Sequence, residues 1–404
     1  MGRTISPMSR PIPIARLTIW QLAIPMKQSF RHATAERSVS EPLIVAVELS
    51  DGTVGYGETH PRTYVTGESM EDAIRSVREV FVPLLVEMRP ANFGEAIEAA
   101  GGLPLVDSTG KVITAARAAV ELAVLDAYSR SFERSLETIA GWLGESWLGP
   151  PGSVSTARFS GVVSGESPER VARSIRKMRL LRLPHFKLKV GDADDDARIA
   201  AAVRVLGRGL QKGKVTLRLD ANEAWTLEEA SAKLEAWEAY PISSVEQPLG
   251  KHAMDDWATL ATRTNLPLMA DESLVTPEDA ETLIARRAAS GFNIRISKNG
   301  GLIPAIKLAM MARKHHIQCQ LGCMVGETSL LSAAGRWFLQ LVPGVTFVEG
   351  SFGSFLLKDD VVRRGLRFGW AGRWTPMSGH GLGMTVDVAR LASLSDHSPV
   401  AIVF

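Results

Sequence analysis

The feature that most limits the fold is a beat in the second part of the chain. Short runs rich in branched and aromatic residues fall at 159–163, 185–190, 215–219, 242–246, 266–270, 292–296 and 317–321, a spacing of about 25 residues per strand and helix. Stretches with apolar residues at helical spacing lie between them, at 168–179, 193–206, 226–240 and 277–288. Strands that alternate with helices pair in parallel, because each parallel neighbour is reached by a crossover. Seven or eight such units in one run favour closure into a (β/α)8-type barrel. An open doubly wound sheet would carry a Gly-rich dinucleotide fingerprint after its first strand, and none is present.

The first part reads differently. Residues 14–24 and 43–49 are strand-like, with Ser50-Asp51-Gly52-Thr53 supplying a tight turn. Residues 68–85 and 111–128 are helical, the latter through Ala118, Leu122 and Leu125, and Thr66 or Ser69 opens the former. This is an α+β unit, and Gly149-Pro150-Pro151-Gly152 is the natural break after it. The expected division is a unit over 1–150, a barrel over 151–350 and a C-terminal segment over 351–404.

Composition narrows the partners. With 46 Lys+Arg against 44 Asp+Glu, the net charge is +2, which gives neither a nucleic acid nor an anionic membrane a reason to bind. A small molecule is the expected partner. Cys319 and Cys323 lack the second ligand pair of a structural zinc site and read as ordinary thiols in a reducing cytoplasm. Residues 1–17 hold no apolar core of a signal peptide, and no stretch approaches the ~20 apolar residues of a membrane span.

In a barrel the reactive groups stand where strands hand over to helices. Those positions read Lys187-Leu188-Lys189, Asp220-Ala221-Asn222, Glu246-Gln247-Pro248, Asp271-Glu272-Ser273 and Lys298-Asn299-Gly300-Gly301. Asp220, Glu246 and Asp271 are 26 and 25 positions apart, one unit each, so they project from three adjacent strands. Any one of them alone reads equally as a helix-capping acid. Three together repel unless a hard divalent cation lies between them, which points to Mg²⁺, with Mn²⁺ as an alternative.

Lys187 and Lys189 share one face of the second strand by alternation, and Lys298 is expected on the sixth strand opposite. Lysine is a poor base at its free pKa of ~10.4, but neighbouring cations push its proton off. Two bases facing one another across a cation suit removal of a proton beside a carboxylate, where the enediolate formed carries charge on two oxygens. Balancing the acids, or facing solvent at the rim, is the plainer use of the same lysines.

With all five strand-end motifs in order, the chain resembles the muconate lactonizing enzyme subgroup of the enolase superfamily. Gly55-Tyr56-Gly57-Glu58 looks like the end of that family's capping strands, and 379–387 like its return to the cap. The resemblance implies a (β/α)7β TIM-type barrel under an N-terminal α+β capping domain that the C-terminal segment completes. It implies Asp220, Glu246 and Asp271 as Mg²⁺ ligands, Lys189 and Lys298 as the acid/base pair, and Lys187 as a partner that makes Lys189 a better base. Asn222 and Glu272 would orient those groups. Glu327 in Gly326-Glu327-Thr328-Ser329 resembles a family Glu that backs the catalytic lysine, and reads otherwise as a helix-cap acid.

The subgroup spans cycloisomerases, succinylbenzoate synthases, N-acylamino acid racemases and dipeptide epimerases. Loops at 27–37 and 59–69 should cover a small carboxylate substrate, with Phe30, His32, Arg62 and Tyr64 as contacts. Thr63-Tyr64-Val65-Thr66-Gly67-Glu68 looks like a dipeptide epimerase loop. Dipeptide epimerases show Asp-x-Asp at the last barrel strand to hold the substrate ammonium, whereas here Phe347-Val348-Glu349-Gly350 leaves only Glu349. Racemisation or epimerisation of an amino-acid-derived or dipeptide-like acid is the leading expectation, in a homo-oligomer. The alternatives are a cycloisomerase or dehydratase, a non-catalytic anion-binding barrel, and a phosphate-binding barrel built on Gly300-Gly301.

Overall fold

The computed structural model describes residues 11–32, 35–149, 156–164 and 167–404. The N-terminal unit begins with strands β1 (Ile14–Gln21), β2 (Ile24–His32), β3 (Ala35–Ser40), β4 (Leu43–Leu49) and β5 (Val54–Thr59). β1, β4 and β5 form one antiparallel sheet, while β2 and β3 pair as a separate hairpin. The turn between β4 and β5 closes as its residues demand: Leu49 N–H donates to Thr53 O at 2.8 Å, and Gly52 takes φ +86°.

Helices α1 (Met70–Ser76), α2 (Val82–Val86), α3 (Phe93–Gly101), α4 (Thr114–Ser131) and α5 (Thr138–Leu143) follow. Ser69 caps α1 in a reciprocal capping box with Asp72. The single helix expected over 68–85 is interrupted by a π turn at Val77–Phe81. Pro83 has no N–H to return to the preceding turn, so the ladder slips a register just before it. α4 is buried on every side and lies directly on β5. A Cβ at Gly55 would fall 2.1 Å from Ala127 N, and one at Gly57 2.0 Å from Ala119 O, so only glycine permits this approach.

The second unit alternates without exception: β6 (Gly161–Val163), α6 (Pro168–Leu180), β7 (His185–Lys189), α7 (Asp195–Gln211), β8 (Thr216–Asp220), α8 (Leu227–Trp237), β9 (Ile242–Glu246), α9 (Met254–Arg263), β10 (Leu268–Ala270), α10 (Pro277–Ala285), β11 (Gly291–Ile294), α11 (Leu302–Lys314), β12 (Gln318–Leu321), α12 (Ser329–Leu341) and β13 (Phe347–Val348). The eight strands are parallel and adjacent in chain order. Ser160 N–H donates to Val348 O at 2.8 Å, beside a bridge between Phe159 and Val348. First strand therefore meets last, and the barrel is of the (β/α)7β type.

After the barrel come α13 (Gly353–Leu356), α14 (Val388–Ser393) and β14 (Val400–Val403). β14 pairs antiparallel with β1, so the end of the chain completes the first sheet. Two carboxylates of the N-terminal unit also cap barrel helices. Glu58 accepts from Thr328 N and Leu331 N at 2.8 Å each at the start of α12. Glu121 accepts from Leu302 N at 2.7 Å and Ile303 N at 2.8 Å at the start of α11. Both supply acceptors to N–H groups that a helix start leaves without partners.

Candidate active site

The inward positions of the barrel strands are unusually polar. Lys187, Arg218, Ser244, Asn293 and Gln320 are all buried, on β7, β8, β9, β11 and β12. Alternation then sends the next inward-facing residues, two further on, to the barrel mouth. Lys189 and Asp220 are register partners there, as are Asp220 and Glu246, and Asp271 directly follows β10. All three carboxylates are fully buried.

Each is met by cations. Lys187 Nζ lies 3.0 Å from Asp220 Oδ2, 3.2 Å from Glu246 Oε1 and 2.7 Å from Glu349 Oε2. Lys189 Nζ donates at 2.6 Å to both Asp220 Oδ2 and Asn222 Oδ1. Lys298 Nζ donates to Asp271 O at 2.6 Å, to Asp271 Oδ1 at 2.9 Å and to Asn293 O at 2.9 Å. Arg295 pairs with Asp271 and approaches Glu246 Oε1 at 3.8 Å.

Lys298 is not on the sixth strand, as expected, but beyond it. β11 stops at Ile294, where Arg295 N–H turns to Asn299 Oδ1 at 2.9 Å. The lysine is fully buried and reaches back to Asp271 from a turn that ends in Gly300 and Gly301, both at positive φ. Lys189 and Lys298 thus stand at the two ends of the row Asp220, Glu246, Asp271.

The environment separates the charges. Burial works against Lys187, but Asp220, Glu246 and Glu349 outweigh it and hold its pKa above the ordinary lysine range. Burial, reinforced by Arg295, pushes Lys298 well below that range. Burial raises Glu327 to about 8, with Glu58 adding to the effect. Glu272 rises to about 7 through burial and the charge of Asp220. Asn222, held at φ +47°, donates to Glu272 Oε1 at 3.3 Å while its own Oδ1 receives Lys189.

As a metal site the chemistry fits a hard cation: three buried carboxylates, oxygen donors only, on adjacent strand ends. Glu272 Oε2 beside them is buried without a hydrogen-bond partner. Among the described residues, however, no group of three or more His, Cys, Asp or Glu is gathered to hold a metal, because lysines and Arg295 partition the carboxylates. A cation binding there must share Asp271 and Glu246 with Arg295.

A cleft of about 430 Å³ opens onto this floor, lined at its base by Lys187, Lys189, Asn222, Glu272, Glu327 and Glu349. Tyr64 overhangs it from the N-terminal unit, 37% exposed. Arg62 is buried, with its guanidinium on Pro61 O at 3.3 Å, and does not line the cleft. Phe30 and His32 fall within 28–37, whose side chains lie outside the described residues.

The sequence reading passed over Arg218, Arg295, Asn293 and Gln320. Arg218 Nη1 donates to Glu349 Oε1 at 3.0 Å and Nη2 to Ser160 Oγ at 2.8 Å. Asn293 and Gln320 donate to Glu246 at 2.8 and 3.0 Å. Alternation was the signal available: Arg218 and Asp220 are two apart on one strand, as Lys187 and Lys189 are. Cys319 and Cys323 are free thiols, and burial raises both. No helix among the described residues is long and apolar enough to cross a membrane.

Barrel and cap with charged strand ends define a class of barrel enzyme whose chemistry lies at the C-terminal mouth. Residues 170–390 match the family described as enolase C-terminal domain-like, and residues 14–141 match the mandelate racemase / muconate lactonizing enzyme N-terminal domain. The chain belongs to the enolase superfamily, in its mandelate racemase / muconate lactonizing enzyme branch, and is an isomerase-class enzyme. Enzymes of this branch are generally Mg²⁺-dependent.

It is 29% identical to the L-Ala-D/L-Glu epimerase of Bacillus subtilis over 88% of this chain and 92% of that one. It is 27% identical to muconate cycloisomerase 1 of Rhodococcus opacus over 91% and 94%. The crystal structure of the N-succinyl Arg/Lys racemase from Bacillus cereus superposes with a TM-score of 0.83 at 25% identity, covering 96% of this chain and 100% of that one.

Proposed function

We propose that the chain removes the proton α to the carboxylate of a small acid and returns one to either face, racemising or epimerising an amino-acid-derived or dipeptide-like acid. The observation that carries this reading is the placement of Lys189 and Lys298 at opposite ends of one row of three buried carboxylates. A planar intermediate lying over that row presents a different face to each lysine, so either can take or give the proton.

In this reading Asp220, Glu246 and Asp271 hold one Mg²⁺, which when bound supplies electrostatic stabilisation to charge growing on the substrate carboxylate. Lys298, whose ammonium form burial disfavours, is suited to accept a proton. Lys187, held charged by three carboxylates, is unsuited to that role; it fixes Asp220 beside Lys189. Asn222 orients Lys189 by accepting from its Nζ, and Glu272 orients Asn222. Burial, with Glu58 adding to it, raises Glu327 and favours its neutral form, which limits the negative charge in the cleft. The same reading places the protein in the cytoplasm, in keeping with its free thiols.

One observation favours a second reading. Lys298 is saturated by three acceptors and does not line the cleft. A cycloisomerase or dehydratase needs a single base, with the second lysine serving as a fixed cation. Screening N-acyl amino acids, dipeptides and muconate-like acids in D₂O for α-proton exchange separates the two. Exchange from both enantiomers of one acid supports the first, and product formation with exchange from a single enantiomer supports the second.

A further inference from the structure

We infer that the segment following the barrel forms an apolar subsite, and that the substrate is an acid bearing a bulky apolar or aromatic group that this segment receives. The inference rests on the reading that the charged floor takes a carboxylate. The cleft above that floor has an apolar outer wall: Phe352, Phe355 and Phe368 line it together with Met178 and Leu181 from the end of α6. Phe368 is the hub of the aromatic group, with ring centroids 5.3 Å from Phe355, 5.9 Å from Phe352 and 5.4 Å from Phe159.

Phe159 and Phe368 stack and Phe352 meets Phe368 edge-on, so these rings are packed in place, yet Phe355 is left 49% exposed at the cleft. A large aromatic side chain kept half in water beside a catalytic floor, on a fixed support, marks a contact surface rather than a core residue.

The support is stiff. α13, which carries Phe355, is tied to β2 by Lys27 Nζ donating to Ser354 O at 2.7 Å, by Lys358 N–H donating to Pro25 O at 2.9 Å and by a bridge between Met26 and Leu357. Glu349 and Gly350 lead from the last barrel strand straight into this segment, so the charged and apolar walls are consecutive in the chain. A ligand with its carboxylate over the lysines therefore meets the rings with whatever its far end carries.

The test is a pair of carboxylates that differ only in that far end, butyrate and 4-phenylbutyrate, titrated calorimetrically into the Mg²⁺-supplemented enzyme. Burying the phenyl group against the rings should tighten binding about tenfold or more. Phe355→Ala should bring the affinity ratio below about threefold, and Phe355→Trp should keep it, which separates lost contact from lost fold. A wild-type ratio below about three, no saturable binding of 4-phenylbutyrate, or a ratio that Phe355→Ala leaves in place overturns the inference. The proton-transfer reading fails separately: if Lys189→Ala and Lys298→Ala leave α-proton exchange intact, that reading is lost while the ratio still stands.

Discussion

Lys187 Nζ lies 2.7 Å from Glu349 Oε2, while the other oxygen of Glu349 accepts from Arg218 Nη1 at 3.0 Å. The carboxylate at the end of the last strand is thus committed to two buried cations. Burial would raise Glu349, but Lys187 and Arg218 outweigh it and keep its pKa below the usual range. A substrate ammonium would have to share this carboxylate with both of them.

Glu349→Gln should therefore act on stability first. Leaving Lys187 and Arg218 short of a buried counter-charge costs about 3 kcal/mol, read as a lowered midpoint in denaturant unfolding. The affinity of a dipeptide relative to its N-acetylated analogue should not change. A tenfold fall in that ratio would make Glu349 an ammonium ligand instead.

Chelation should abolish α-proton exchange and added Mg²⁺ should restore it, with Mn²⁺ as a substitute. Glu246→Gln removes the central carboxylate of the row and should weaken Mg²⁺ binding by about 10²-fold in a direct titration. Undiminished exchange in exhaustively chelated enzyme would contradict the metal assignment.

Lys189→Ala should abolish deuterium incorporation from one enantiomer and spare part of it from the other, and Lys298→Ala should do the reverse. Each loss should be about 10²- to 10⁴-fold, the usual worth of a general base. If both variants silence the same enantiomer, one lysine is only a fixed cation.

Stability should fall between about pH 6.5 and pH 4 through His185. Burial, then the nearby charges of Arg218 and Arg158, lowers its pKa to about 4. Across that window the unfolded chain binds the proton and the folded one does not, so acidification favours unfolding. With part of the ring open to solvent, the loss should be about 1–2 kcal/mol. His185→Gln, which keeps a partner for Thr216 Oγ1, should flatten the profile of unfolding free energy against pH over this range and leave the rest unchanged.

Strand ends were legible in the sequence because a period of two and a regular repeat fix which side chains reach the mouth. Lys187, Lys189, Asp220 and Glu246 follow from that alone, and Asp271 sits one residue past its strand. Lys298 was harder, since its run of branched residues continues to Ile296 while the ladder stops at Ile294; Asn299 ends it through a side-chain bond that periodicity does not encode. Arg218 and Arg295 belong to none of the strand-end motifs, although alternation turns Arg218 inward. The π turn at Val77–Phe81 depends on where Pro83 meets the helical ladder. The rings of Phe352, Phe355 and Phe368 lie in a stretch with almost no regular structure, where no pattern brings them together.

Glu58 and Glu121 reach across from the N-terminal unit to the starts of α12 and α11, and Arg117 donates to Gly300 O between them. Swinging the two units apart would strand two buried carboxylates and the four backbone N–H groups they serve, each at a desolvation cost of about 1–3 kcal/mol. The molecule therefore has no hinge at this seam. Access to the cleft therefore does not rely on rotating one unit against the other, and substitutions at the seam that keep these bonds should leave release rates unchanged.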